Sequence, residues 1–192
     1  LEPNKLSNQP AFEILENIAI ICLDRPESYN SLNAKMGKEL LEIAYECDSN
    51  QEIRVIILTG SGDKAFCSGG DLKSFNESKN VGKHLKMVTH DLHGAITKFS
   101  RMNSPLIVAV NGVAAGAGLS FVGFADIAIA KKSATFVSAY TKAGLTPDGS
   151  SSFYLPRIIG IRKYLELVMT HKVLSSEEAL SWGLLNKVYD DK

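Results

Sequence analysis

Leu106-Ile107-Val108-Ala109-Val110-Asn111-Gly112-Val113-Ala114-Ala115-Gly116-Ala117-Gly118-Leu119 reads as a strand, a turn and the opening of a helix. Leu106 to Val110 is continuously apolar, without the polar alternation of a half-solvated strand, and it stops at Asn111-Gly112. Such runs belong to strands of a parallel sheet covered on both faces. Ile53 to Leu58 (IRVIIL) repeats the pattern and stops at Thr59-Gly60-Ser61-Gly62, and Ile127 to Ala130 follows Asp126 as a third example. Helix-length segments lie between them, and that alternation is the signature of right-handed βαβ units. In such sheets ligands sit beyond the carboxyl ends of the strands, which directs attention to the loops after Leu58 and Val110.

The remaining segments fill in around this frame. Phe12 to Leu15 and Ile18 to Leu23, joined by Glu16-Asn17, suit a hairpin. Asn33 to Asp48 has helical spacing with Ser31 or Asn33 as the cap, and Val81 to Met102 places Leu85, Val88, Leu92, Ile96 and Phe99 on one stripe. On that helix His90 falls on the solvent side and His93 at the edge of the stripe. Arg157 to Thr170 and Ser175 to Gly183 read as two more helices, the second opened by a capping box of Ser175 with Glu178 and stopped by Gly183.

Composition narrows the class. With 192 residues, 45% hydrophobic and 22% charged, the chain can bury about 70% of its unfolded surface, so a core forms without a disulfide or a structural metal. Lys plus Arg equals Asp plus Glu at 21 each, and no net field draws the protein to nucleic acid or anionic lipid. Cys22, Cys47 and Cys67 are widely and irregularly spaced, without metal-ligand pairing, as expected of reduced thiols in a cytoplasm-like compartment. The longest apolar stretch falls far short of the ~20 residues of a membrane span. The start, LEPNKLSNQP, has no signal-peptide run. We therefore expect a soluble, cytoplasmic protein with no metal, no membrane and no nucleic-acid partner, residues 1–10 forming a loose arm and 11–192 one core.

Two loops carry the chemistry. Ala65-Phe66-Cys67-Ser68-Gly69-Gly70-Asp71-Leu72 lies beyond the Ile53 strand, and Asn111 to Leu119 follows Val110. Neither is a nucleotide fingerprint, since the second has no GxGxxG in phase with its strand and the first lacks the Lys-Ser/Thr of a phosphate loop. Both offer small residues whose N–H groups can approach a ligand, and the second leads into a helix whose N-terminus carries roughly half a positive charge.

AFCSGGDL, PLIVAVNGVAAGAGLSF, GLTPDGSSSFYLPRIIG and LSSEEALSWGLLNKV, in this order and spacing, resemble the crotonase, or enoyl-CoA hydratase/isomerase, family from about Phe12 to Val188. The resemblance implies an α/β crotonase (ClpP/crotonase-like) spiral of ββα units that binds acyl-CoA thioesters, with coenzyme A as part of the substrate and no separate cofactor. It implies an oxyanion hole made by the N–H groups of Gly70 and Ala117, and CoA contacts around Ser28, Tyr29, Ser68, Gly69, Asp71 and Leu72. Members usually continue past the equivalent of Lys192 with further helices at a trimer interface. The C-terminal helical segment of this chain therefore looks truncated, and a homotrimer or dimer of trimers is expected if those helices are present.

The same resemblance separates reaction types. Hydratases of the family carry two glutamates where register puts Ser120 and Tyr140, so the two-glutamate addition of water is not expected. Asp148, in Thr146-Pro147-Asp148-Gly149-Ser150, is by itself a residue of a Pro-Asp-Gly turn. Within the family it resembles the acid/base carboxylate of enoyl-CoA isomerases. The leading expectation is a double-bond shift through an enolate held by Gly70 and Ala117, with Asp148 moving the proton. A hydratase and a non-catalytic scaffold are the alternatives, together with a 4-chlorobenzoyl-CoA dehalogenase-like hydrolase in which Asp148 attacks and His93 activates water, although Tyr140 then replaces a supporting tryptophan. Phe66, Phe121, Phe136, Tyr140 and Phe153 are candidates for the acyl pocket. Cys67 and Trp182 read as packing residues and Asp126 as structural.

Overall fold

The computed structural model describes residues 10–191. The expected N-terminal arm lies, except for the buried Pro10, outside the described residues. The hairpin forms as β1 (Ala11–Leu15) and β2 (Ile18–Leu23), antiparallel with Leu15 opposite Ile18. Helix α1 (Ala34–Ser49) is capped by Asn33, whose side chain accepts from Met36 N.

Three turns of one repeating unit follow. Strands β3 (Val55–Gly60), β5 (Leu106–Val110) and β7 (Ile127–Lys131) run parallel in a large sheet. Each is followed by a three-residue strand in a second sheet: β4 (Ala65–Cys67), β6 (Val113–Ala115) and β8 (Thr135–Val137). Helices α2 (Leu72–Asn76) and α3 (Val81–Phe99) complete the first turn, α4 (Ala117–Phe124) the second, and α5 (Ser151–Ile159) with α6 (Ile161–Thr170) the third. Strand β9 (Val173–Ser175), helix α7 (Ser176–Ser181) and strand β10 (Lys187–Tyr189) close the chain. The sheets have the orders β1-β2-β3-β5-β7-β10 and β4-β6-β8-β9. This is a spiral of ββα turns.

Several expectations need correction. The strand read as Ile53 to Leu58 is Val55–Gly60, and it is not buried on both faces. Ile56, Leu58 and Gly60 are buried while Val55, Ile57 and Thr59 are half-covered, and β5 and β7 alternate in the same way, with Ile107 and Ala109 half-covered and Ile127 exposed. The helix read as Arg157 to Thr170 is two helices, because Gly160 at φ 84° interrupts hydrogen bonding between α5 and α6. Helix α3 ends at Phe99, three residues before Met102.

The capping box at Ser175 and Glu178 forms, and Gly183 takes φ 82° just past α7. The three cysteines are free. Asp126 is structural, its carboxylate accepting from Leu106 N at 2.8 Å at the start of β5. No helix of the described residues is long and apolar enough to cross a membrane.

Candidate active site

The two small-residue loops meet. An ideal Cβ on Gly69 would lie 3.6 Å from Ala117 N, so the chain before Gly70 runs against the N-terminus of α4. Ala117 opens that helix, and the first N–H groups of a helix have no partner within it. The approach depends on glycine, since a Cβ on Gly118 would stand 2.1 Å from Cys67 O.

Gly70 is fixed from its other side. Leu32 N donates to Gly69 O at 2.7 Å and Asp71 N donates to Leu32 O at 2.9 Å, so Leu32 and Gly70 form a single parallel bridge. Because N–H groups alternate along an extended chain, the Gly70 N–H points away from Leu32. Gly70 and Ala117 both stand in the wall of a cavity of about 200 Å³, which Leu32 also lines.

Ser68, Gly69, Leu72, Tyr140 and Asp148 line the same cavity. Its apolar wall comes from Phe75, Leu85, Val88, Leu92 and Leu145. Sequence reasoning placed Leu85, Val88 and Leu92 on a core-facing stripe but did not see that the stripe opens onto a pocket. Of the aromatic candidates, only Tyr140 lines the cavity. Phe66, Phe121 and Phe136 are wholly buried in the core and Phe153 is exposed.

Asp148 sits where the chain turns into α5. Gly149 and Ser150 are both left-handed, at φ 59° and 58°, and Asp148 O accepts from Ser151 N. One carboxylate oxygen lies 2.6 Å from His93 Nε2, which reaches across from α3. The side chains are 34% and 43% exposed, so the carboxylate is not sealed in an apolar pocket. His93 also lines an open groove of about 660 Å³ on the outer flank of α3, and Thr89 lines both the groove and the cavity.

Ser120 and Tyr140 form one uncharged cluster. Ser120 Oγ is 2.9 Å from Tyr140 Oη, 3.0 Å from Asp148 O and 3.3 Å from Gly116 O. The serine has one proton and both carbonyls only accept, so Tyr140 donates to Ser120 and Ser120 donates to a carbonyl. Burial pushes the Tyr140 phenol well above its ordinary value, outweighing the Ser120 hydrogen bond. It is a neutral donor here, not a base. Burial likewise pushes the Cys67 thiol up to about 12, which makes it inert.

Of the residues expected to contact CoA, Ser68, Gly69 and Leu72 line the cavity and Ser28, Tyr29 and Asp71 do not. Asp71 accepts from Arg25 Nη2 and caps α2 through Ser74 N. Ser28 and Tyr29 do not line the cavity, and Tyr29 borders a separate small cleft with Asn30 and Gly62. Arg25, which sequence reasoning passed over, proves to be the buried partner of Asp71. Among the described residues no group of three or more His, Cys, Asp or Glu side chains is arranged to hold a metal.

The sequence profile of the enoyl-CoA hydratase/isomerase family matches residues 13–192. A 4-chlorobenzoyl coenzyme A dehalogenase from Arthrobacter is 34% identical over 93% of this chain, which spans 65% of that protein's length. The 1,2-epoxyphenylacetyl-CoA isomerase of Escherichia coli is 35% identical over 92% of this chain and 68% of the relative. Among solved structures, an enoyl-CoA hydratase from Bacillus anthracis superposes with a TM-score of 0.89 at 29% identity, covering 96% of this chain and 70% of its own. The match of the family profile over nearly the whole chain, with a ββα spiral that brings both glycine loops to one cavity, establishes that this chain belongs to the enoyl-CoA hydratase/isomerase family.

Proposed function

We propose that the protein processes acyl-CoA thioesters and shifts the double bond of an enoyl-CoA, with Gly70 and Ala117 N–H groups holding the thioester oxygen and Asp148 moving the proton. One observation carries the reading. Asp148 lines the same cavity as Gly70 and Ala117, whereas the neighbouring polar positions hold Ser120 and a phenol that burial keeps protonated. A single carboxylate suffices for a shift that adds and removes nothing. Asp148 takes the α proton of a 3-enoyl thioester, charge develops on the oxygen between the two donors, and the same carboxyl returns a proton at the γ carbon. Hydration needs a second acid/base group for water.

At about 200 Å³ the cavity is smaller than the ~300 Å³ at which drug-sized sites begin. It suits a short acyl chain or a single ring. The test follows 3-enoyl to 2-enoyl conversion by wild type and by Asp148→Asn. Conversion that survives the substitution removes Asp148 from the role, and none in wild type removes the isomerase reading.

A second reading is favoured by the 2.6 Å contact of His93 with Asp148. A carboxylate nucleophile followed by imidazole-assisted hydrolysis needs both groups together and water at the imidazole, and His93 opens onto the outer groove. Chloride release from a 4-halobenzoyl-CoA, with His93→Gln as control, tests that route against the first.

A further inference from the structure

Arg25 and Asp71 form a buried ion pair at 2.9 Å with side chains 11% and 14% exposed. Sinking such a pair costs desolvation that its attraction returns only in part. Among the described residues Arg25 Nε finds no hydrogen-bond partner although it is buried, which adds to the cost. Stability alone is therefore a poor account of why a guanidinium sits here.

Its connections give a better one. Arg25 Nη1 donates to Ser31 O at 2.7 Å and Nη2 to Asp71 Oδ2 at 2.9 Å. Ser31 precedes Leu32 and Asp71 follows Gly70, and Leu32 and Gly70 are the two members of the isolated bridge. One planar guanidinium thus clamps both strands of the bridge one residue from the point where they pair. Asp71 is itself locked, because its other carboxylate oxygen accepts from Ser74 N at 3.1 Å. Between the clamp and β4 lie Gly69, at φ 100°, and Gly70, and consecutive glycines are the softest backbone available. A single bridge between two loops has little hold on the peptide planes of Gly69 and Gly70 unless its ends are fixed.

We propose that Arg25 and Asp71 are positioning residues that hold the Gly70 N–H on the thioester oxygen. The assignment rests on the acyl-CoA reading above. The planar guanidinium holds two loops at a set separation by donating from Nη1 to one and from Nη2 to the other, a geometry that a lysine ammonium does not reproduce. A donor displaced by about 1 Å costs on the order of 10²-fold in rate.

The test uses the full chain with crotonyl-CoA carrying ¹³C at the thioester carbonyl, and reads the carbonyl stretch of the bound ligand by infrared difference spectroscopy. Hydrogen bonds from the two donors move that stretch to lower frequency. The expected result is a clear downshift in wild type and loss of at least half of it in Arg25→Met and in Asp71→Asn. Arg25→Lys should recover only part, and the dissociation constant should change little. Turnover of any enoyl-CoA the wild type accepts should fall in kcat rather than rise in KM. Asp71→Asn keeps an acceptor for Ser74 N, so it preserves the α2 cap and carries the test alone if Arg25→Met does not melt cooperatively.

Equal downshifts in wild type and variants overturn the positioning role and leave the acyl-CoA reading standing. Binding without any downshift in wild type overturns the donor assignment and this proposal with it. Failure of wild type to bind the thioester overturns the acyl-CoA reading itself.

Discussion

His93 Nε2 lies 2.6 Å from Asp148 Oδ1, although 55 residues separate the two in the chain. The imidazole comes from α3 and the carboxylate from the turn before α5, so the contact ties the first turn of the spiral to the third. Both side chains are more than a third exposed, and pairs of that kind contribute only ~0–1 kcal/mol to stability. His93→Gln should therefore melt within a few degrees of wild type. In double-bond migration it should retain activity within roughly fivefold, the equivalent of ~1 kcal/mol for one hydrogen bond. A loss of ~10²-fold or more at unchanged melting temperature would instead give His93 a share in proton transfer.

Gly118 and Gly70 should respond differently to alanine. At Gly118 the new Cβ meets a backbone carbonyl, Cys67 O, at 2.1 Å, and β4 must move away from α4. At Gly70 it meets the Phe75 ring at 2.8 Å, and a side chain can turn aside. We expect Gly118→Ala to cost ~3 kcal/mol or more, at the upper end of overpacking penalties. Gly70→Ala should cost less and regain stability when combined with Phe75→Leu. Urea denaturation of the four proteins checks the ordering.

The Ser120 cluster predicts an asymmetry. Ser120→Ala leaves the Tyr140 hydroxyl without its partner and removes one of the donors to Asp148 O. Orphaning a buried polar group costs ~1–3 kcal/mol. Tyr140→Phe leaves the serine free to keep donating to a carbonyl, and should cost about half as much. Ser120→Glu should not create a hydratase. Ser120 is 1% exposed, and a Cβ on its neighbour Gly149 would already lie 2.8 Å from Ser120 Cβ. Thermal melts and a crotonyl-CoA hydration assay test both statements.

Alkaline pH should weaken the fold in part through Cys67. Burial raises its folded value to about 12 from an ordinary 9.0, with a hydrogen bond to Gly69 backbone pulling more weakly the other way. The unfolded chain loses this proton first. The stabilisation is complete below pH 9, and it declines as pH climbs toward 12, by at most ~1.4 kcal/mol per pH unit. Cys67→Ala should show a shallower decline over that range, and a thiol reagent at pH 8 should leave Cys67 of the folded protein unlabelled.

Much of the molecule was legible where local signals were long. The hairpin, α1 with its Asn33 cap, β5, and the box at Ser175 and Glu178 follow from periodicity and capping chemistry acting within a few residues. The second sheet was not legible, because Ala65–Cys67, Val113–Ala115 and Thr135–Val137 are too short for a period-two alternation to repeat even twice. They exist only because the larger sheet brings them side by side. The break at Gly160 was missed since apolar spacing runs through it, although glycine there was a fair warning.

At the site, the small-residue loops announced themselves through composition. Arg25 did not, because its partner Asp71 lies 46 residues away and a lone arginine before a proline reads as surface. The apolar wall from Phe75, Leu85 and Val88 was hidden for a related reason. A stripe facing a pocket and a stripe facing a core have the same periodicity.

Helix α3 separates two spaces, the cavity lined by Asp148 and the open groove lined by His93, and the two side chains touch through that partition. Where this carboxylate carries the proton, as proposed, it has a neighbour through which that proton can be traded for one from bulk solvent before it returns to carbon. Run in heavy water, the double-bond shift should therefore place deuterium at the γ position in a substantial share of product rather than conserving the original hydrogen. His93→Gln should tip the balance back toward conservation. The isotopic content of the product then becomes a record of how often the carboxylate exchanged its proton with solvent before the substrate reclaimed it.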